Sequence, residues 1–312
     1  MLPKRIPLGP TQAHWAMAVQ TVIIGPGYLL GQSAAKAFDP LLLISLRTAV
    51  AALLMAPVFF LMGGWSRFTP TRAQWRGLVG LALIGVVVNS SLFVIGLRYT
   101  TPANSALIYA LSPALVLLLA VLVFKDEKIS GVKALGVAIA FSGVLMLFLG
   151  QGKGFEGDLV LGNVLTLAAV ILWALFMVLS RRLLPGLSPI QVPAVIMAMG
   201  ALLMLPIGLW KLSTDGWPTV SPEAWVGLAY LTLINSVFSF FVIQFSLSRL
   251  RASQVAIYMN LQPLSAFAFS WLLGRDQLTM ALVLGATLTI GGIFILNWAQ
   301  QRIAHVHEGA SE

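Results

Sequence analysis

Apolar residues in this chain come in runs of about 20, separated by short clusters where Pro, Gly, Ser and Arg concentrate. A helix rises about 1.5 Å per residue, so a run of about 20 covers the roughly 30 Å hydrocarbon core of a bilayer. Ten such runs are legible, beginning near residues 13, 41, 75, 102, 131, 159, 190, 222, 252 and 279. The pattern predicts an all-α membrane protein of ten transmembrane helices. The polar breaks are too short to hold a soluble domain, and residues 1–11 and 303–312 read as tails.

The apolar pattern also repeats itself. At an offset of 150 residues, Trp75, Gly77, Leu78, Leu81, Ile84 and Leu97 fall on Trp225, Gly227, Leu228, Leu231, Ile234 and Leu247. Ala106, Leu111 and Pro113 then fall on Ala256, Leu261 and Pro263. After a one-residue deletion, Glu127, Gly136 and Gly143 meet Asp276, Gly285 and Gly292. Chance supplies Leu-on-Leu matches readily, but not paired Trp, Gly and Pro. Nearer the N-terminus, setting Lys36 on Arg181 places Tyr28 on Trp173. The chain therefore reads as two five-helix repeats, 12–150 and 158–300, a layout typical of secondary transporters.

Composition sharpens this picture. Hydrophobic residues make up 59% and charged residues 9%, with a mean hydropathy of +0.92, which leaves too little polar surface for a water-soluble domain. A net charge of +9 would suggest nucleic acid in a soluble chain, but here the cations sort by loop. With a cytoplasmic N-terminus, thirteen lie on the cytoplasmic side, among them Lys4, Arg5, Arg67, Arg72, Arg76, Arg181, Arg182 and Arg251, against Lys36, Arg98, Lys153, Lys211 and Arg275 outside. By the positive-inside rule both termini are cytoplasmic. Five helices per half then invert the second repeat relative to the first. Cysteine is absent, excluding disulfides and thiolate metal sites. Lys4 and Arg5 ahead of an apolar run resemble a signal peptide, but the run is long and interrupted by Gln20 and Thr21, so it reads as a retained first helix.

Three stretches resemble the EamA family of the drug/metabolite transporter superfamily. They run from Gly96 through Pro102 and Asn104 to Ile108 and on to Leu111–Pro113, from Lys125 through Glu127 to Gly131 with Gly136 and Gly143, and over Leu46–Thr48 with Ala51 and Ala52. The resemblance implies a ten-helix carrier in a bacterial inner (plasma) membrane that exports small metabolites, and says little about which.

Polar and kinked positions inside the spans sketch a solute path. Pro113 and Pro263, repeat-related and near mid-span, are expected hinges, as is Pro26-Gly27, because Pro removes a backbone donor and bends a helix. Gln20, Asn89, Asn235, Ser239 and Gln262 are expected to line a cavity together with the aromatic residues Tyr28, Tyr109, Trp173 and Tyr258. The walls would come from the first, third, fourth, sixth, eighth and ninth spans; the second, fifth, seventh and tenth are poor in polar groups. The competing expectation for any one Asn or Ser is a tie between helices. Arg47, the one charge deep in a span, either binds a carboxylate or snorkels to the headgroups. Lys36 and Arg181 are placed to line two vestibules. Eight tryptophans sit near span ends as an interfacial belt, and Trp173 is the exception.

No carboxylate falls mid-span, which speaks against export of multivalent cations and against a proton relay. The expected activity is alternating-access export of amino acids, hydrophobic or aromatic ones first. Phosphorylated metabolites or nucleotide sugars, and a non-transporting membrane scaffold, are the alternatives. No pairing of groups suits an enzyme. The reading requires no cofactor, metal or nucleic acid, only a small-molecule substrate and membrane lipid, with the chain as a monomer or weak dimer.

Overall fold

A computed structural model describes residues 9–125, 130–149, 157–274 and 283–292, together with residues 280, 294, 295 and 298. The acidic turn at Asp126 and Glu127, its counterpart at Asp276, and most of both tails lie outside the described residues. Every regular element among the described residues is helical. This is what a bilayer demands, since backbone groups facing lipid must be satisfied within their own segment.

The elements are α1 (Pro10–Ile24), α2 (Pro26–Ala37) and α3 (Pro40–Leu61), then α4 (Arg72–Tyr99) and α5 (Pro102–Val123). After these come α6 (Gly131–Leu149), α7 (Asp158–Leu183), α8 (Gln191–Asp215) and α9 (Pro222–Leu247). The last are α10 (Ala252–Ile257), α11 (Leu261–Leu272) and α12 (Val283–Gly292). Six of them, α3, α4, α5, α7, α8 and α9, are long and apolar enough to cross a membrane. Local chemistry sets the starts. Pro occupies the first turn of α1, α2, α3, α5 and α9, where its missing N–H costs nothing. Asp39 caps α3 by accepting from the amides of Leu41 and Leu42 at 3.0 and 3.1 Å, and Thr71 with Gln74 forms a capping box on α4.

Contacts at the helix ends define two faces. On the Lys36 face, Lys211 pairs with Asp39 at 3.2 Å and Asp215 at 3.1 Å, and Ser33 donates to Glu223 at 3.0 Å. On the Arg181 face, Gln191 donates to the Gly64 carbonyl at 3.1 Å and Gln74 to the Pro185 carbonyl at 3.0 Å. The helices α3 and α8, second in their respective repeats, are thus antiparallel, tied at both ends: the second repeat is inverted. Small residues allow close approach. Gly96 of α4 lies against Gly162 and Thr166 of α7, and Gly227 of α9 lies against the Leu30 backbone of α2.

Matched irregularities interrupt matched helices. In α4 the Asn89 amide bonds the carbonyl five residues back, at Ile84, and in α9 Ser239 bonds Ile234 in the same way. Such π-type turns insert an extra residue and recur at functional sites. The helix α5 breaks at Ala110 and Leu111, just before Pro113, and its repeat counterpart breaks between α10 and α11 at Tyr258–Asn260, before Pro263. The first span is divided at Gly25, before Pro26 and Gly27. Large apolar side chains such as Leu53, Leu61, Leu122 and Leu202 face outward, as do Trp15, Trp65, Trp210, Trp217 and Trp271. Trp173 is buried.

Candidate functional site

The matched irregularities converge on one central cavity. Its wall takes Gln20, Ile24 and Tyr28 from the first span, Gly85, Asn89 and Phe93 from α4, and Asn235, Ser239 and Ile243 from α9. Each trio is spaced i, i+4, i+8, so each helix contributes one stripe. The remaining wall comprises Arg47, Ser90, Tyr109, Trp173, Phe240, Met259 and Gln262. Repeat-related positions face each other across it. Gly85, Asn89, Ser90, Phe93 and Tyr109 stand 150 residues from Asn235, Ser239, Phe240, Ile243 and Met259, and Tyr28 answers Trp173. The cavity therefore lies on the pseudo-twofold axis relating the repeats.

Two aromatic groups flank it. Tyr28, Phe93 and Tyr109 meet edge to face with centroids 5.5–6.1 Å apart. Opposite them, Trp173 stacks on Phe176 at 5.1 Å and meets Phe240 edge-on at 5.8 Å. Such pairs hold their rings in fixed orientations and are each worth about 0.5–1.5 kcal/mol beyond burial.

The polar wall is partly committed. Gln20 donates to Ser239 at 2.9 Å, Tyr28 to Gln262 at 2.7 Å, and Asn89 to the Ala169 carbonyl at 2.6 Å. Arg47, only 6% exposed, donates from Nε to the Ser236 hydroxyl at 2.6 Å. Its Nη1 has no partner, and the same is true of Gln20 Oε1 and Asn235 Oδ1. Among the described residues no carboxylate pairs with Arg47. A buried unpaired ion costs several kcal/mol and an orphaned amide oxygen about 1–3 kcal/mol. The three residues that carry these unpartnered atoms line the same cavity. Its free space is about 70 Å³, room for about five waters at 10–15 Å³ each, so the walls must part to admit a larger solute.

Of the nine residues expected to contact a solute, eight line this cavity: Gln20, Tyr28, Asn89, Tyr109, Trp173, Asn235, Ser239 and Gln262. Tyr258 does not. It meets His14 Nδ1 at 2.8 Å toward the Arg181 face, and Met259 takes the position opposite Tyr109. One residue is about 100° of helix, so the offset of 150 selects Met259 and turns Tyr258 away. The expectation that the second span stays out of the wall also fails, because Arg47 on α3 points in. Burial and the bond to Ser236 hold it there, away from the headgroups. Lys36 stands off the cavity and lines a separate pocket. Pro113 and Pro263 are buried beside the helix breaks without lining the cavity, and Gly27 packs where a Cβ would come within 2.9 Å of Asn235 Oδ1.

Several polar residues of the spans tie helices together instead: Thr100 bonds Asn163, Gln244 donates to Ser180 at 3.2 Å, and Gln32 donates to the Thr100 carbonyl at 2.5 Å. The apolar wall residues Ile24, Phe93, Phe240, Ile243 and Met259 carry no polar signal. The four-residue spacing from Asn89 and Ser239 is the trace that finds Phe93 and Ile243.

Comparisons with known proteins agree with this layout. The model of the EamA-like transporter family matches residues 12–149 and again 160–298. An uncharacterized transporter of Archaeoglobus fulgidus is 28% identical over 297 residues, covering 94% of this chain and 99% of the relative. The uncharacterized transporter YyaM of Bacillus subtilis is 26% identical over 280 residues, covering 88% of this chain and 89% of its own. A solved structure described only as a crystal structure of a protein superposes with a TM-score of 0.69 at 19% identity, over 94% of this chain and 99% of its own. That likeness concerns the fold.

Proposed function

We infer, from a chain that belongs to the EamA-like transporter family of multi-pass membrane proteins, that its solute is a zwitterionic amino acid, with hydrophobic and aromatic side chains preferred. The observation carrying this reading is the unpartnered set in the cavity. A carboxylate satisfies Arg47 Nη1, and an ammonium, with three donors, satisfies Gln20 Oε1 and Asn235 Oδ1. The apolar side chain then lies between the two aromatic groups. A phosphorylated metabolite would find, among the described residues, a single cation on this wall.

The proposed architecture is ten membrane-crossing helices, five per repeat over 12–150 and 158–300, in the plasma membrane with both termini cytoplasmic and the Lys36 face outward. The mechanism is alternating access, the repeats rocking about the breaks before Pro26, Pro113 and Pro263 so that the axial cavity opens to each face in turn. Among the described residues no Asp, Glu or His lines the cavity, in keeping with a facilitative carrier. Such a carrier runs down the gradient of its solute, and for a metabolite made inside the cell that direction is outward. No chemical step is part of this activity.

The test is exchange in proteoliposomes with labelled tryptophan and leucine, alongside tryptamine, which lacks the carboxylate, and indole-3-propionate, which lacks the ammonium. Saturable exchange of the two amino acids, with neither truncated analogue exchanged, is expected. Equal exchange of the analogues, or none of any amino acid, overturns the reading.

A further inference from the structure

A second site is built where α2 and the end of α4 reach the Lys36 face. A pocket of about 440 Å³ is lined there by Leu29, Gln32, Lys36, Arg98 and Thr101 among others. It adjoins the central cavity along one helix. Tyr28 is in the cavity wall, Gln32 stands one turn above it, and Lys36 is eight residues on, about 12 Å by the helical rise. Lys36 is exposed and Arg98 partly so, and among the described residues neither has a carboxylate partner.

That is unusual for this face. Its other described cation, Lys211, is neutralised by Asp39 and Asp215, so the two cations without a carboxylate share one pocket. The opposite mouth repeats the arrangement. Arg181, the repeat counterpart of Lys36, lines a pocket of about 360 Å³ and donates to the Leu247 carbonyl at 2.6 Å. Leu247 is the counterpart of Leu97, whose carbonyl accepts from Gln32. Each mouth thus carries a cation at the matched place, and only at the Lys36 mouth is it left free of both carboxylate and carbonyl.

We propose that the Lys36–Arg98 pocket is a low-affinity carboxylate site, a waiting position for the solute's carboxylate between the central cavity and bulk water. It rests on the amino acid reading above. Two positive charges in one pocket raise the local concentration of an anionic group, and bulk salt screens the effect. The site discriminates for the carboxylate and is indifferent to the side chain, leaving selectivity to the aromatic cavity below.

The experiment uses the full chain in proteoliposomes made of neutral phosphatidylcholine. Because the chain has no cysteine, a single Ala37→Cys substitution, at an exposed position beside Lys36, reports which mouth faces out by its reaction with an impermeant maleimide. In the K36Q/R98Q variant, KM for leucine presented at the Lys36 mouth is expected to rise three- to tenfold and to lose its dependence on salt. The maximal rate and KM at the other mouth should stay unchanged, which also reports a folded protein. An unchanged KM at the Lys36 mouth, or an effect that needs anionic lipid in the vesicle, overturns the proposal. A readout independent of transport separates this outcome from failure of the central reading. The thiol introduced by Ala37→Cys should react with an anionic maleimide faster than with a neutral one, and acetate should slow the anionic reagent more than equimolar chloride does. The preference should disappear when K36Q/R98Q is added. Its absence with Lys36 and Arg98 in place overturns the pocket whether or not any amino acid is exchanged.

Discussion

The two repeats build the same cavity from the same positions, yet they furnish it differently. The first half contributes Gln20, Tyr28, Arg47, Asn89, Ser90 and Tyr109, and so supplies the charge and most of the polar groups. At the matched positions the second half offers Trp173 for Tyr28, Phe240 for Ser90 and Met259 for Tyr109, with Asn235, Ser239 and Gln262 as its polar share. The backbone symmetry, including the paired π-type turns, places matched positions of both repeats around one axial cavity. The side-chain asymmetry gives that site a polar end and an apolar end. On the alternating-access reading proposed above, that combination would keep two rotation-related conformations close in energy while the solute binds in one orientation.

The most severe way to break the asymmetry is Arg47→Met. Charge-assisted hydrogen bonds are worth about 1.5–3 kcal/mol, so KM for an amino acid is expected to rise roughly 10- to 100-fold in proteoliposome exchange. The same variant should melt at a higher temperature in detergent, since an unpaired buried ion is replaced by an apolar chain of similar length. A lower melting temperature would mean that Arg47 is a structural tie through Ser236 alone.

Next in size is Trp173→Ala, which removes the second-half ring facing Tyr28. Losing one aromatic partner costs about 0.5–1.5 kcal/mol, so tryptophan affinity should fall about two- to tenfold while alanine, measured in the same assay, changes less. Equal losses for both would place Trp173 in the packing of Phe176 and Phe240 rather than at the solute. A gentler probe exchanges the repeat-related pair, N89S with S239N. Both positions touch the cavity, but Asn89 also bonds the Ala169 carbonyl, so a few-fold change in exchange rate is expected, read from initial rates. Smallest of all is Tyr258→Phe, which should leave KM within twofold, because its hydroxyl meets His14 away from the solute.

Much of the cavity's lining is legible in the sequence, and the reason is physical. In hydrocarbon an Asn, Gln or Arg needs a partner or a cavity, so Gln20, Asn89, Asn235 and Gln262 stand out from the sequence, and the aromatic outlier Trp173 stands out against a belt of interfacial tryptophans. The same signal could not separate a cavity wall from an interhelical tie, since both satisfy the polar group. Asn163 and Gln244 look like Asn235 in the sequence and turned out to bond neighbouring helices. Tyr258 stands out by residue type, but register places Met259 at the cavity, since one position along a helix turns a side chain through about 100°.

By itself, then, the sequence determined the lipid environment, the duplication and the set of polar groups available to a path. Length and hydropathy decide whether a segment can stay in a bilayer, and paired Trp, Gly and Pro survive as the record of a repeat. Only the tertiary structure decided that Arg47 turns inward to Ser236 without a counter-charge, that two aromatic groups face each other across the axis, and that Lys36 and Arg98 meet at one mouth. Those facts depend on how helices distant in the chain rotate against one another, which is set by close contacts such as Gly96 on Gly162 and by the extra residue in each π-type turn.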